Sequence, residues 1–166
     1  MPLLSLHTPV GDLSVAEVDG AIVAVEWGWG RDQDETTLLR RAREQLHAYF
    51  DTALTDFDLP LTPEGSPYRQ SVWRALLAIP YGAVRTYLDI AHAAGGSPRS
   101  VGGANGANPI PIIIPCHRVV ATNGIGGYSG GDGLPTKRAL LTLENPCWEI
   151  PSREPSRAEY RQATLI

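Results

Sequence analysis

The chain has 166 residues, 43% of them hydrophobic, which is enough apolar material for one domain or two small ones and too much for wholesale disorder. No apolar run approaches the ~18 residues of a membrane span, and Met1-Pro2-Leu3-Leu4-Ser5 carries neither the basic segment nor the cleavage site of a signal peptide. Two cysteines, Cys116 and Cys147, cannot form a disulfide framework, so the reading is a cytoplasmic protein with reduced thiols and a net charge of -4.

Residues 3–29 read as a short-stranded meander. Leu4-Ser5-Leu6, Leu13-Ser14-Val15 and Ile22-Val23-Ala24-Val25 are separated by turn signals at Gly11-Asp12 and Asp19-Gly20. Trp27 and Trp29 follow, and strand packing accounts for them better than a ligand box. A helix comes next. Leu38, Leu39, Ala42, Leu46, Tyr49 and Phe50 recur at helical spacing, with Arg40, Arg41 and Glu44 on the opposite face. Leu59-Pro60-Leu61-Thr62-Pro63-Glu64-Gly65 is an extended, twice proline-broken linker, where the boundary between two domains is placed.

The second half opens on Ser66-Pro67, a cap followed by a first-turn proline, and its helix stops at Pro80-Tyr81-Gly82. Thr86 and Asp89 form a capping-box variant at the start of a short helix that ends at Gly95-Gly96. Ser97-Pro98 caps another, through Ala104, and the pair makes a helix-turn-helix candidate. Gly102-Gly103 inside the second helix costs on the order of 1 kcal/mol per glycine. Two explanations stand: close approach of an outside surface such as a DNA groove, or tight packing within the domain. A last helix carries Leu140, Leu141 and Leu143 up to Glu144, and 149–166 reads as a solvated tail.

Charge is divided unevenly. Residues 1–65 hold 4 arginines against 12 acidic residues, whereas 66–148 hold 7 basic against 3 acidic, which points weakly to a polyanionic partner for the second half. No pair of histidines or cysteines has metal-ligand spacing, so no metal or other cofactor is expected.

The chemistry concentrates in Ile110-Pro111-Ile112-Ile113-Ile114-Pro115-Cys116-His117-Arg118-Val119-Val120. Apolar residues run into a Pro-Cys corner, which predicts a cysteine on a rigid, largely buried turn. Such a cysteine is either a small core hydrophobe or a nucleophile. A free thiol is only a few per cent thiolate at neutral pH, so a nucleophilic role needs a base and a group to orient it. His117 and Glu144 are the residues that could form such a triad with Cys116.

Pro115-Cys116-His117-Arg118-Val119 resembles the active-site signature of the O6-alkylguanine-DNA alkyltransferases. Val72-Trp73-Arg74-Ala75-Leu76, Ile79-Pro80-Tyr81-Gly82, Val101-Gly102-Gly103-Ala104, Asn108-Pro109, Tyr128-Ser129-Gly130-Gly131 and the run from Lys137 to Glu144 follow in the family's order. The likeness is strong over 66–145. It is weaker over 1–65, where Gln45-Leu46, Tyr49-Phe50 and Leu59-Pro60-Leu61 look similar.

The resemblance implies an α+β protein with a small β-meander and helix domain of ribonuclease H-like type over 1–65. A winged-helix-type DNA-binding domain would follow over 66–148. It implies irreversible transfer of an alkyl group from O6-alkylguanine, with O4-methylthymine a further substrate to test, in double-stranded DNA read through the minor groove by a monomer that meets no membrane. Cys116 would accept the alkyl group, His117 act as base through a water, and Glu144 orient the imidazole. Asn108 would brace the turn, and Tyr87 would stand near the phosphate and donate to the guanine. Arg99 would enter the base stack on a DNA-facing helix with Ser100, Val101, Gly102 and Gly103. Arg118 would belong to the DNA contact, the Cys116 carbonyl and Val119 backbone would read the guanine edge, and Tyr128 and Ser129 would form the lid.

Three departures from the family pattern stand out: the two-residue insertion Asp132-Gly133, Tyr68-Arg69 in place of Phe-Gln, and Cys147, which has no family role. The alternatives are an alkylated-base binding module without transfer, a cysteine hydrolase and a sequence-specific regulator.

Overall fold

The computed structural model describes residues 1–150, so the expected tail lies, beyond Ile150, outside the described residues. Strands β1 (Leu3–Leu6), β2 (Leu13–Val18) and β3 (Ala21–Trp27) form an antiparallel sheet in that order. Leu4, Leu6, Leu13, Val15, Ile22 and Val25 are buried along it. Helix α1 (Thr37–Phe50) is capped by the Thr36 side chain, which accepts from the Leu39 N–H, and buries Leu39, Ala42, Leu46 and Tyr49 at helical spacing.

The proline-rich stretch between the halves is less free than its composition predicts. Ile22 N–H donates to the Pro60 carbonyl at 2.8 Å and Thr62 N–H to the Ile22 carbonyl at 2.9 Å, so Leu61 pairs in parallel with the open edge of β3. Farther along that edge Val25 N–H donates to the Pro109 carbonyl at 2.9 Å. An exposed strand edge is a row of unpaired donors and acceptors, and both the linker and the second half use it. The result seats β3 beside the residues that lead to Cys116.

Helices α2 (Pro67–Leu77), α3 (Tyr87–Ala94) and α4 (Pro98–Gly106) pack on one another. Ser66 caps α2, and capping boxes at Thr86/Asp89 and Ser97/Ser100 start the other two. Trp73 Nε1 donates to the Ala104 carbonyl at 2.9 Å, so the large buried indole at the centre of this layer leaves no polar atom unpaired. Two-residue strands β4 (Arg85–Thr86) and β5 (Val119–Val120) pair in parallel, and α5 (Leu134–Glu144) closes the layer against a 3₁₀ turn at Cys116–Arg118. No helix among the described residues is long and apolar enough to cross a membrane.

Candidate active site

The turn that carries Cys116 is held from several directions. Asn108 Nδ2 donates to the Ile114 carbonyl at 2.8 Å, and its Oδ1 accepts from Ile110 N–H at 3.0 Å. Ile114 N–H closes back on the Ile110 carbonyl at 2.9 Å. Ile112 takes φ 72, a left-handed conformation that a β-branched residue adopts at a cost of about 1–3 kcal/mol. Asn105 Nδ2 donates to the Cys116 carbonyl at 3.2 Å. The predicted rigid Pro-Cys corner is present, with Cys116 5% exposed.

Behind the cysteine lies a buried ion cluster. His117 Nε2 and Glu144 Oε2 are 2.6 Å apart, and Arg118 reaches the same carboxylate through Nε at 2.7 Å and Nη2 at 3.1 Å. Tyr49 O–H, from α1, donates to Glu144 Oε2 at 2.6 Å. Burial alone would raise the Glu144 carboxyl, but the hydrogen bond from His117 and the hydrogen bonds and charge of Arg118 outweigh it and bring it down to about 2. Burial lowers His117, against the pull of Glu144, so its Nε2–H donates and Nδ1 carries the lone pair. That Nδ1 is buried and accepts no hydrogen bond from the protein.

The electrostatics of the sulfur follow the same rule. Burial pushes the Cys116 thiol up, opposed by a hydrogen bond from Asn108 and the charge of Lys137. Lys137 is itself buried, which lowers it to about 8 while Cys116 pulls the other way. Its Nζ donates to the Val119 carbonyl at 2.6 Å and the Gly127 carbonyl at 3.0 Å. The resting pair is therefore a neutral thiol beside a neutral imidazole.

Cys116 lines a cavity of about 800 Å³, a size in the range of small-molecule sites. Tyr87, Gly102, Asn105, Asn108, Tyr128 and Ser129 share its wall. Tyr87 Oη accepts from Gly127 N–H at 3.3 Å, which leaves its own O–H free to donate. Gly126 (φ 76) lies against Tyr87, and a Cβ there would stand 2.8 Å from Oη. Tyr128 O–H is buried and unpartnered, and burial and the neighbouring Cys116 both raise it.

Several sequence expectations need correction. Arg118 does not face outward: it is 6% exposed, and its guanidinium is spent on Glu144 and, through Nη1 at 2.7 Å, on the Ile79 carbonyl. With Lys137 also internal, two of the seven basic residues of this half cannot contact a polyanion. Val101 points into the core at 0% exposed. Val119 is buried as well; its N–H bonds to the Cys116 carbonyl and its carbonyl to Lys137, with one lone pair left over. Trp27 packs against the core from β3, as expected, and also walls the cavity, edge-on to Tyr128; a Cβ on Gly130 would stand 2.6 Å from its Nε1. Trp29 is 51% exposed and stacks on His7. Asp132 and Gly133 sit at the start of α5, outside the cavity wall.

The glycines of α4 are not explained by internal packing. A Cβ on Gly103 or Gly106 would meet nothing within 4 Å, and one on Gly102 only the Tyr87 ring edge at 4.0 Å. Arg99 and Ser100 are exposed on the first turn, where Ser100 also bonds the Tyr68 hydroxyl at 2.8 Å. Tyr49, Asn105 and Lys137 were not singled out as site residues in the sequence. Lys137, in the run to Glu144, and Tyr49, in the Tyr49-Phe50 pair, carried a signal there, and Asn105 carried none.

The comparisons with known proteins cover both halves of the chain. Residues 4–63 match the 6-O-methylguanine DNA methyltransferase ribonuclease-like domain and residues 67–146 the DNA binding domain of the same name. A methylated-DNA–protein-cysteine methyltransferase of Methanosarcina acetivorans is 41% identical, over 85% of this chain and 96% of that protein. The constitutive Bacillus subtilis protein of that name is also 41% identical, over 83% and 92%. The crystal structure of Mycobacterium tuberculosis OGT in complex with DNA superposes with a TM-score of 0.79 at 39% identity, covering 94% of this chain and 96% of that one.

Glu144 and His117 both bind protons less readily folded than unfolded, so the stability that these two groups contribute is full above about pH 6.5, erodes below it, and falls steeply from about 4.5 toward 2. Replacing the carboxylate, in Glu144→Gln, strands the Arg118 charge. Urea melts across this pH range should start about 3–5 kcal/mol lower and fall less steeply in the acid window.

Proposed function

The chain belongs to the 6-O-methylguanine DNA methyltransferase family, and on that premise we propose how its own residues carry out the reaction. The activity is direct-reversal repair: an alkyl group on O6 of guanine in DNA passes to a cysteine of the protein. The observation that carries the assignment of Cys116 is that the sulfur lines the cavity while its neighbour His117 is locked onto a buried carboxylate.

A methyl group on O6 is out of reach within a duplex, so the base must leave the stack at a cost of a few kcal/mol. Arg99, exposed on a first turn fixed by the Ser97/Ser100 box, fills the gap. The open face of α4, with Gly102, Gly103 and Gly106 bare of side chains, lets backbone approach the minor groove.

In the cavity the thiol proton passes through a water to His117 Nδ1, and Glu144 steadies the imidazole. The sulfur forms a bond to the alkyl carbon as the carbon–O6 bond breaks, and the bonding electrons go to the purine. Tyr87 O–H and the Ser129 N–H meet that charge, and the thiol proton ends on guanine. Asn108 holds the turn in register, and Tyr128 and Ser129 cover the base. Water does not cleave the resulting thioether, so each molecule acts once, as a monomer in the reducing cytoplasm, with no cofactor. The stretch 59–65 divides a DNA-binding unit, 66–148, from the supporting unit, 1–65.

Incubation with O6-methylguanine duplex followed by intact-mass measurement should add one methyl per chain, on Cys116. Cys116→Ala should bind the duplex and gain nothing; tight binding by the native chain without mass change would leave a binding module instead. Arg99→Ala should slow repair of the duplex more than reaction with free O6-benzylguanine, since only the duplex requires extrusion. Gly103→Ala should raise stability in urea by about 0.5–1 kcal/mol, the helix-propensity gain, and weaken DNA binding measured by anisotropy.

A further inference from the structure

Tyr49 lies in the half that carries none of the reacting groups, yet its hydroxyl ends on the oxygen that orients the base. Tyr49 O–H and His117 Nε2 both reach Glu144 Oε2, each at 2.6 Å. Tyr49 is 0% exposed, and Phe50, Phe57 and Tyr81 fix its ring with centroids at 5.1, 5.5 and 6.2 Å. The hydroxyl has no freedom to turn away. Phe50 and Tyr49 also form the motif in the first half that the reaction scheme leaves unused.

From this shared oxygen we propose that Tyr49 is a positioning residue of the transfer reaction, which sets the basicity of His117 through Glu144 and so makes the first half part of the reaction centre. The inference rests on the role of His117 proposed above. The physical link is competition for one acceptor. A donor on Oε2 draws electron density from the carboxylate and weakens its hold on the imidazole N–H. Without it, Oε2 becomes a stronger acceptor and His117 becomes more basic. Burial pushes the Tyr49 phenol up, so it stays a donor wherever the protein is folded. The other groups facing this pair are Arg118 from the 3₁₀ turn, Lys137 from α5 and Tyr81 from the loop after α2, with Cys116 the chain neighbour of His117.

The test follows alkylation of Cys116 by free O6-benzylguanine between about pH 5 and 9 in the full chain and in Tyr49→Phe, which keeps the ring and removes one oxygen. The acid limb of the rate profile should move up by about half a pH unit or more in Tyr49→Phe. Phe57→Leu, which loosens the same aromatic cluster without touching the carboxylate, should lower the melting temperature and leave the limb in place. A Tyr49→Phe limb coincident with the native one, or an equal shift in both variants, overturns the inference. A second readout needs no substitution: in native protein carrying 13Cζ-labelled tyrosine, the Tyr49 resonance should shift with the protonation of His117, because coupling through a shared oxygen is reciprocal. A Tyr49 resonance blind to that titration also overturns it. Native protein that takes up no benzyl group would instead defeat the transfer reading, with the labelled resonance still deciding the role of Tyr49.

Discussion

A carboxylate taken out of water costs several kcal/mol unless its lone pairs are filled, and Glu144 is the point around which this molecule meets that requirement. Its side chain is 1% exposed. Donors arrive from α1, through Tyr49, and from the 3₁₀ turn, through His117 and Arg118. Arg118 in turn ties down the carbonyl of Ile79 at the end of the α2 layer. Elements far apart in sequence are drawn together because one buried charge needs all of them. Folding and preparation of the site are the same event.

The same burial sets the chemical state of Cys116 and His117. A desolvated thiol resists losing its proton and a desolvated imidazole resists gaining one, so Cys116 and His117 rest as a neutral pair rather than as thiolate and imidazolium. Asn108 and Lys137 oppose this at the sulfur, and both also hold backbone carbonyls in the walls around it. The turn that presents the sulfur stores strain at Ile112, which the bonds of Asn108 and the core around Ile110 and Ile114 restrain. A quiet thiol on a stiff support suits a group that reacts once.

Two surfaces divide the task of reaching a base that is proposed for this site. The α4 face is stripped of side chains beyond its first turn, so backbone can come close to a partner there. Strand β3 contributes Val25, Glu26 and Trp27 to the cavity that Cys116 lines, which places part of the first half in its wall. The β3 edge is also where the linker and Pro109 dock, so its hydrogen bonds align the two halves at the site itself.

Local signals were enough for the elements and for the residues of the proposed centre. The Thr86 and Ser97 boxes, the stripe from Leu39 to Tyr49 and the turn glycines act through neighbours a few residues away. The Pro-Cys-His-Arg signature is contiguous, so Cys116, His117 and, through the motif order, Glu144 were legible in one dimension. What only the tertiary structure decided was the direction in which long side chains point. Arg118 read as a surface cation and turned inward, because a buried carboxylate is a stronger partner than solvent. Trp27 read as packing, which it is, and the fold makes the same ring a wall of the cavity. Tyr49 reaches Glu144 across 95 positions. No periodicity or spacing encodes a hydrogen bond between residues so far apart; it exists only because burial of one charge recruits whatever donor the packing brings within reach.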